Sequence, residues 1–124
     1  MHIVPDKYRG GREYSLAYAL LITAARFRGY VTYQEIAELV GFPLSGNHMG
    51  REMGILLGAI SEDEVHSGRP MLSSIALNTA NRPGPGFFKL ARDLGRLNST
   101  THQREQQFWQ QQRAAVYRTW QRNF

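Results

Sequence analysis

Between Val40 and Met49 the chain reads "GFPLSGNH", and no regular pattern survives that stretch. Proline fixes its φ and lacks an amide donor, and glycine favours backbone that other residues avoid, so a helix arriving here must stop and restart. On the amino side, Thr32 and Glu35 have the spacing of a capping box opening "YQEIAELV", which Gly41 and Pro43 close. On the carboxyl side, Asn47 is expected to cap a third helix with Met49, Met53, Leu56 and Ile60 on one face, and His48, Arg51, Glu52 and Ile55 elsewhere. Whatever this chain folds into must hold two helices around a tight break.

The flanks fill in the rest. Upstream, Leu16, Leu20, Thr23 and Phe27 recur at helical spacing ahead of Gly29, and "YVT" is short and β-branched. Downstream, Ser61 and Glu64 have capping-box spacing, so "SEDEVHSG" reads as a separate acidic turn or short helix before Gly68. "MLSSIALN" alternates Met71, Ser73, Ile75 and Leu77 against Leu72, Ser74, Ala76 and Asn78, the pattern of a strand with one greasier face. "NRPGPG" predicts a rigid turn, and "FFKLARDLG" a helix through Phe87, Leu90, Ala91 and Leu94. From Ser99 the composition shifts to glutamine and arginine, with Trp109, Val116, Tyr117, Trp120 and Phe124 at helical intervals. This predicts a body over 1–98 and a terminal helix over 99–124. Its aromatic stripe is expected to dock on the body or in a homodimer, the alternative being a partner protein or nucleic acid.

At 124 residues the chain is the size of one domain. It has no cysteine, which excludes disulfides, thiolate metal sites and a cysteine nucleophile. No apolar run approaches a membrane span, and "MHIVPDKYRGGREY" lacks the features of a secretory signal, so a bacterial or phage-type cytoplasmic protein is expected, with no membrane association. The formal net charge is +5, and only Lys7 and Lys89 of the 15 cationic residues are lysines. Arginine grips phosphate oxygens with paired hydrogen bonds and stacks on planar groups, so nucleic acid is a candidate partner, against the plainer reading of a solvated basic surface.

Helix, turn, helix, strand and glycine-rich turn is the order of an α+β winged helix-turn-helix domain. "VTYQEIA" (31–37), "GREMGILL" (50–57) and "RPMLSSIALN" (69–78) together resemble the DNA-binding domain of the O6-alkylguanine-DNA alkyltransferases and their alkyltransferase-like relatives. The likeness spans about half the chain. It departs in a longer break before the recognition helix, in the insertion "ISEDEVHSGR", and in Leu77 where the family has its nucleophilic cysteine. An aliphatic side chain offers no nucleophile, so alkyl transfer is excluded. The resemblance implies that Arg51 matches the arginine filling the space of a flipped nucleotide, and Tyr33 the tyrosine crowding the neighbouring phosphate.

The expected function is non-enzymatic binding of double-stranded DNA, with Tyr33, Gln34, Asn47, His48, Arg51, Arg82 and Lys89 as contacts. Arg82 and Lys89 would flank the turn as a wing, and Asn47 and His48 would offer a helix amino terminus. An interaction module using the fold and its aromatic tail is the rival. A small metal-dependent hydrolase centred on Glu64 and His66 is the third reading, but carboxylates in a first helical turn have a sufficient explanation in the helix dipole. No cofactor, resident metal or catalytic residue is indicated.

Overall fold

The computed structural model describes residues 2–44 and 46–121. Its elements run α1 (Arg12–Arg26), β1 (Val31–Thr32), α2 (Tyr33–Val40), α3 (Asn47–His66), a 3₁₀ turn (Leu72–Ile75), β2 (Ala76–Leu77), α4 (Pro85–Asp93) and α5 (His102–Trp120). The result is an α+β chain, mostly helical, whose sheet among the described residues has two parallel strands, with Val31 opposite Ala76 and Thr32 opposite Leu77. None of the described helices is long and apolar enough to cross a membrane.

Local chemistry explains the helix ends. The Thr32 hydroxyl accepts from the Glu35 amide while the Glu35 carboxylate accepts from the Thr32 amide, a complete capping box. Gly41, at φ 89°, closes α2. At the restart the cap is Gly46, also at φ 89°, so Asn47 is the first helical residue and not the cap expected of it.

Three expectations are corrected. First, α3 continues through Ser61 for 20 residues. Ser61 is fully buried inside it, its hydroxyl donating to Ser73 Oγ (2.7 Å) and accepting from the Ser73 amide (3.0 Å), so the hydroxyl that would cap a new helix is engaged elsewhere. Second, Met71–Leu77 is a 3₁₀ turn and a two-residue strand. All seven residues are buried, leaving no polar face to alternate with. Its backbone groups find partners on α5, where Gln112 Oε1 accepts from the Met71 amide (2.9 Å) and Trp109 Nε1 donates to the Ser74 carbonyl (2.8 Å). Third, the buried stripe of α1 is Ala17, Leu21 and Ala25, one residue out of phase with the larger side chains, and Phe27 is 65% exposed.

Two hydrophobic clusters make the core. One joins α1, Ile36, Ala37 and Val40 of α2, Met53, Leu56 and Ile60 of α3, and Val116 of α5. The other gathers Met71, Leu77, Phe87, Phe88, Leu90, Phe108 and Trp109. Helix α5 therefore serves both. Of its predicted stripe, Trp109 and Val116 are covered by the chain's own body, Tyr117 and Trp120 pack partly against it, and Phe124 lies outside the described residues. A partner or second copy would find only Tyr117 and Trp120, half-buried, of the four described members of that stripe.

Candidate nucleic-acid interface

Tyr33, the first residue of α2, anchors the region. Its hydroxyl accepts from the Gly84 amide (2.9 Å) at the cap of α4. A Cβ on Gly84 would stand 3.2 Å from that oxygen, so any larger residue there would crowd the hydroxyl. Pro85 then starts α4 where a missing amide donor costs nothing. Burial pushes the Tyr33 phenol's pKa up, against the opposing pull of the Gly84 amide. Its ring is a fixed wall, not a free arm.

Concavities open on both sides of that wall. One, of about 410 Å³, is lined by Tyr33, Gly50, Gly54, Leu57, Gly58 and Asn78 among others. The second, of about 320 Å³, is bounded by Tyr33, Gln34, Leu44, Met49, Leu77 and Asn78 among others. Leu77 is 7% exposed and gives this second concavity an apolar surface. Asn78 shapes the rim by accepting from the Ala80 amide (2.9 Å), an Asx turn that starts the loop toward α4.

The glycines of α3 fall four residues apart and so share a face. A Cβ on Gly58 would meet Val4 at 3.2 Å, which explains that glycine by packing. At Gly50 and Gly54 a Cβ would meet nothing within 4 Å. Each sacrifices about 1 kcal/mol of helix propensity relative to alanine with no internal contact to justify it. The expected site residues did not include these two, although their spacing is visible in the sequence.

The expected contacts divide into two groups. Asn47, His48 and Arg51 are exposed on the first turns of α3. No acidic partner of Arg51 is found among the described residues. The acids considered for it are engaged elsewhere: Glu52 receives Lys7 and Tyr8, and Glu38 accepts from Gln34 (3.4 Å). Away from this group, Lys89 points to Asp93 one turn along α4 (2.8 Å). Arg82 lies 5.4 Å over the Phe88 ring and lines a smaller concavity with Arg92 and Glu105. The loop that holds Arg82 leads from β2 directly into α4, and β2 pairs only with β1 among the described strands.

The four acids of α3 are engaged by side chains and amides of the body, and 62–64 lie near the carboxyl end of α3, not in the first turn of a new helix as expected. Glu62 is fully buried and accepts from the amides of Ile3 (2.6 Å) and Val4 (3.0 Å) and from Arg9 Nη2 (2.8 Å). Asp63 accepts from Arg9 (3.0 Å) and Tyr14 (2.7 Å), and Glu64 from Tyr18 (2.8 Å) and Arg69 (2.6 Å). Burial pushes the Glu62 pKa up, but the two amides and Arg9 outweigh it and leave the carboxylate below its ordinary range. Hydrogen bonds from Lys7 and Tyr8 lower Glu52 likewise. Burial first, and then the Glu52 bond, pushes Tyr8 up to about 12; burial and the Glu64 bond do the same for Tyr18. By neutralising these acids internally, the fold leaves the net positive charge to other parts of the surface.

His2, Glu62 and His66 bring potential metal-ligand atoms within 4.8 Å of one another. The Arg9 guanidinium, 2.8 Å from Glu62 Oε1, places a positive charge at the same group and opposes a cation there. No known family, curated protein or solved structure matches the chain in the comparisons made.

Proposed function

We propose that this chain is a non-enzymatic, duplex-DNA-binding protein whose α2–break–α3 unit acts as a winged helix-turn-helix. The carrying observation is Arg51, exposed and without an acidic partner among the described residues, between Gly50 and Gly54 on a helix whose missing side chains leave open space beside Tyr33. Glycines on a contact face let a polymer backbone approach the helix closely, and an unpaired arginine there can enter a groove or hold a phosphate. Asn47 and His48 add the amino-terminal amides of α3, which favour anions. Docking of the aromatic stripe on the body removes most of the surface on which an interaction module would have drawn.

Fluorescence anisotropy with a short random-sequence duplex at two salt concentrations tests this reading, with affinity expected to fall steeply as salt rises. Arg51→Ala is expected to weaken binding by about 1 to 3 kcal/mol with no change in melting temperature. Gly50→Ala and Gly54→Ala should each stabilise α3 by up to about 1 kcal/mol and still weaken binding. Full affinity in Arg51→Ala and in both alanine variants would sink the proposal.

A further inference from the structure

Between β2 and α4 the chain closes on itself at Asn78. Its amide donates to the Arg82 carbonyl (2.9 Å), and its side-chain oxygen accepts from the amides of Ala80 (2.9 Å) and Arg82 (3.4 Å). Both of those neighbours are donors, so the side-chain atom facing them is the oxygen. The two protons on Asn78 Nδ2 are left without a partner among the described residues. Arg82, at the other end of the same loop, is steadied with its guanidinium 5.4 Å over the ring of the buried Phe88. No acidic partner of Arg82 is found among the described residues.

These two side chains line a concavity of about 260 Å³ together with Phe88, Arg92 and Glu105. Arg92 Nη1 donates to the Glu105 carboxylate (2.8 Å) and to the Ser99 carbonyl (3.4 Å), which fixes the guanidinium while engaging one of its three nitrogens. The lining therefore sets two guanidiniums against one carboxylate, and the Asn78 amide adds a neutral donor. Loop, ring and ion pair hold these donors in place, so little side-chain freedom is lost when they grip a ligand. Three donor groups match the three terminal oxygens of a phosphate monoester, which carries about 1.5 to 2 negative charges at neutral pH. A backbone phosphodiester offers fewer free oxygens and less charge.

We propose that the concavity between the β2–α4 loop and the start of α5 binds a phosphate monoester, held by Arg82, Arg92 and the Asn78 amide. Glu105 is a built-in competitor, because it shares Arg92 with the ligand and repels it. The site goes beyond duplex binding and does not depend on Arg51 or the glycine face of α3. The same chemistry is offered by a small phosphate ester and by the phosphorylated end of a nucleic-acid strand.

The test titrates the full chain with inorganic phosphate, against chloride at matched ionic strength, and follows the Arg82 and Arg92 Nε protons and the Asn78 Nδ2 protons by NMR. Saturable shifts with phosphate alone are expected. Asn78→Asp is the informative variant: it keeps the oxygen that accepts from Ala80 and Arg82 but replaces the donor by a charge, so it should melt close to the parent and bind phosphate about tenfold more weakly. Glu105→Gln should bind phosphate several-fold more tightly, a gain that a purely structural ion pair would not give. Anisotropy with 5′-phosphorylated and 5′-hydroxyl oligo-dT assigns the source. Preference for the phosphorylated strand, lost in Asn78→Asp, marks a strand end; phosphate binding without that preference marks a small phosphate ester. Shifts that climb linearly with phosphate and chloride alike would be diffuse screening of a basic surface and overturn the proposal. Undiminished phosphate binding by Asn78→Asp, or no gain in Glu105→Gln, would overturn it too. The phosphate arm contains no DNA, so it stands or falls separately from duplex binding.

Discussion

Ending the chain after Asn98 is expected to abolish cooperative folding. The deletion removes Phe108, Trp109 and Val116 from the two clusters of the core. Removing a buried aromatic side chain costs about 3 to 5 kcal/mol, so losing two exceeds much of the roughly 5 to 15 kcal/mol that holds a domain together. Polar groups suffer as well: the Met71 amide loses Gln112, the Ser74 carbonyl loses Trp109, and the Gly29 carbonyl loses Tyr117. A buried backbone group left without a partner costs a further 1 to 3 kcal/mol or so. Circular dichroism of the truncated chain should show no sharp thermal transition, and the dye ANS should find exposed apolar surface. A cooperative melt at the parent temperature would mean that α5 is an accessory to a self-sufficient body.

That dependence on α5 shows why some of the fold could be read from the sequence and some could not. The break at 41–46, the Thr32 capping box and the proline start of α4 are governed by residues within a few positions of one another, and each stands where local chemistry puts it. The segment after Pro70 is governed from afar. Its partners are Ser61, Trp109 and Gln112, twelve to 41 positions away, and they supply side chains where a neighbouring strand would have supplied backbone. Apparent alternation in "MLSSIALN" therefore carried no information about exposure. For the same reason Ser61 looked like a cap, since the sequence does not show that Ser73 occupies its hydroxyl. In α1, packing selected the small residues Ala17 and Ala25, where pattern-reading followed the larger ones. At the candidate site, the resemblance singles out Arg51 and Tyr33, and the glycine spacing stands in the sequence. That Gly58 is filled by Val4 while Gly50 and Gly54 face open space is a property of the assembled structure alone.

Replacing Glu62 by alanine is expected to be the most damaging single change outside the apolar core, at about 3 to 5 kcal/mol, the range for removing one partner of a buried ion pair. Three donors converge on this fully buried carboxylate, and alanine would strand all of them: the amides of Ile3 and Val4, and a guanidinium only 12% exposed. Arg9 would keep Asp63, which softens the loss without satisfying the two amides. Glu62→Gln, which retains an acceptor oxygen, should lose less, and the difference measures the charge separately from the hydrogen bonds. The same group sets the acid limit. Because the folded-state pKa values of Glu62 and Glu52 lie below those of the unfolded chain, their contribution is complete above about pH 4.3 and drains away as pH falls through the folded values. Tyr8 and Tyr18, raised to about 12, act in the opposite sense: their contribution is complete below about pH 10 and is lost as pH climbs toward the folded values. Urea melts across the pH range should trace a plateau between those limits, with the acid shoulder flattened in Glu62→Gln. An unaltered acid shoulder in that variant would show that Glu62 does not control it, and near-parental stability of Glu62→Ala would show that the Arg9 network is not what ties the amino-terminal segment to α3.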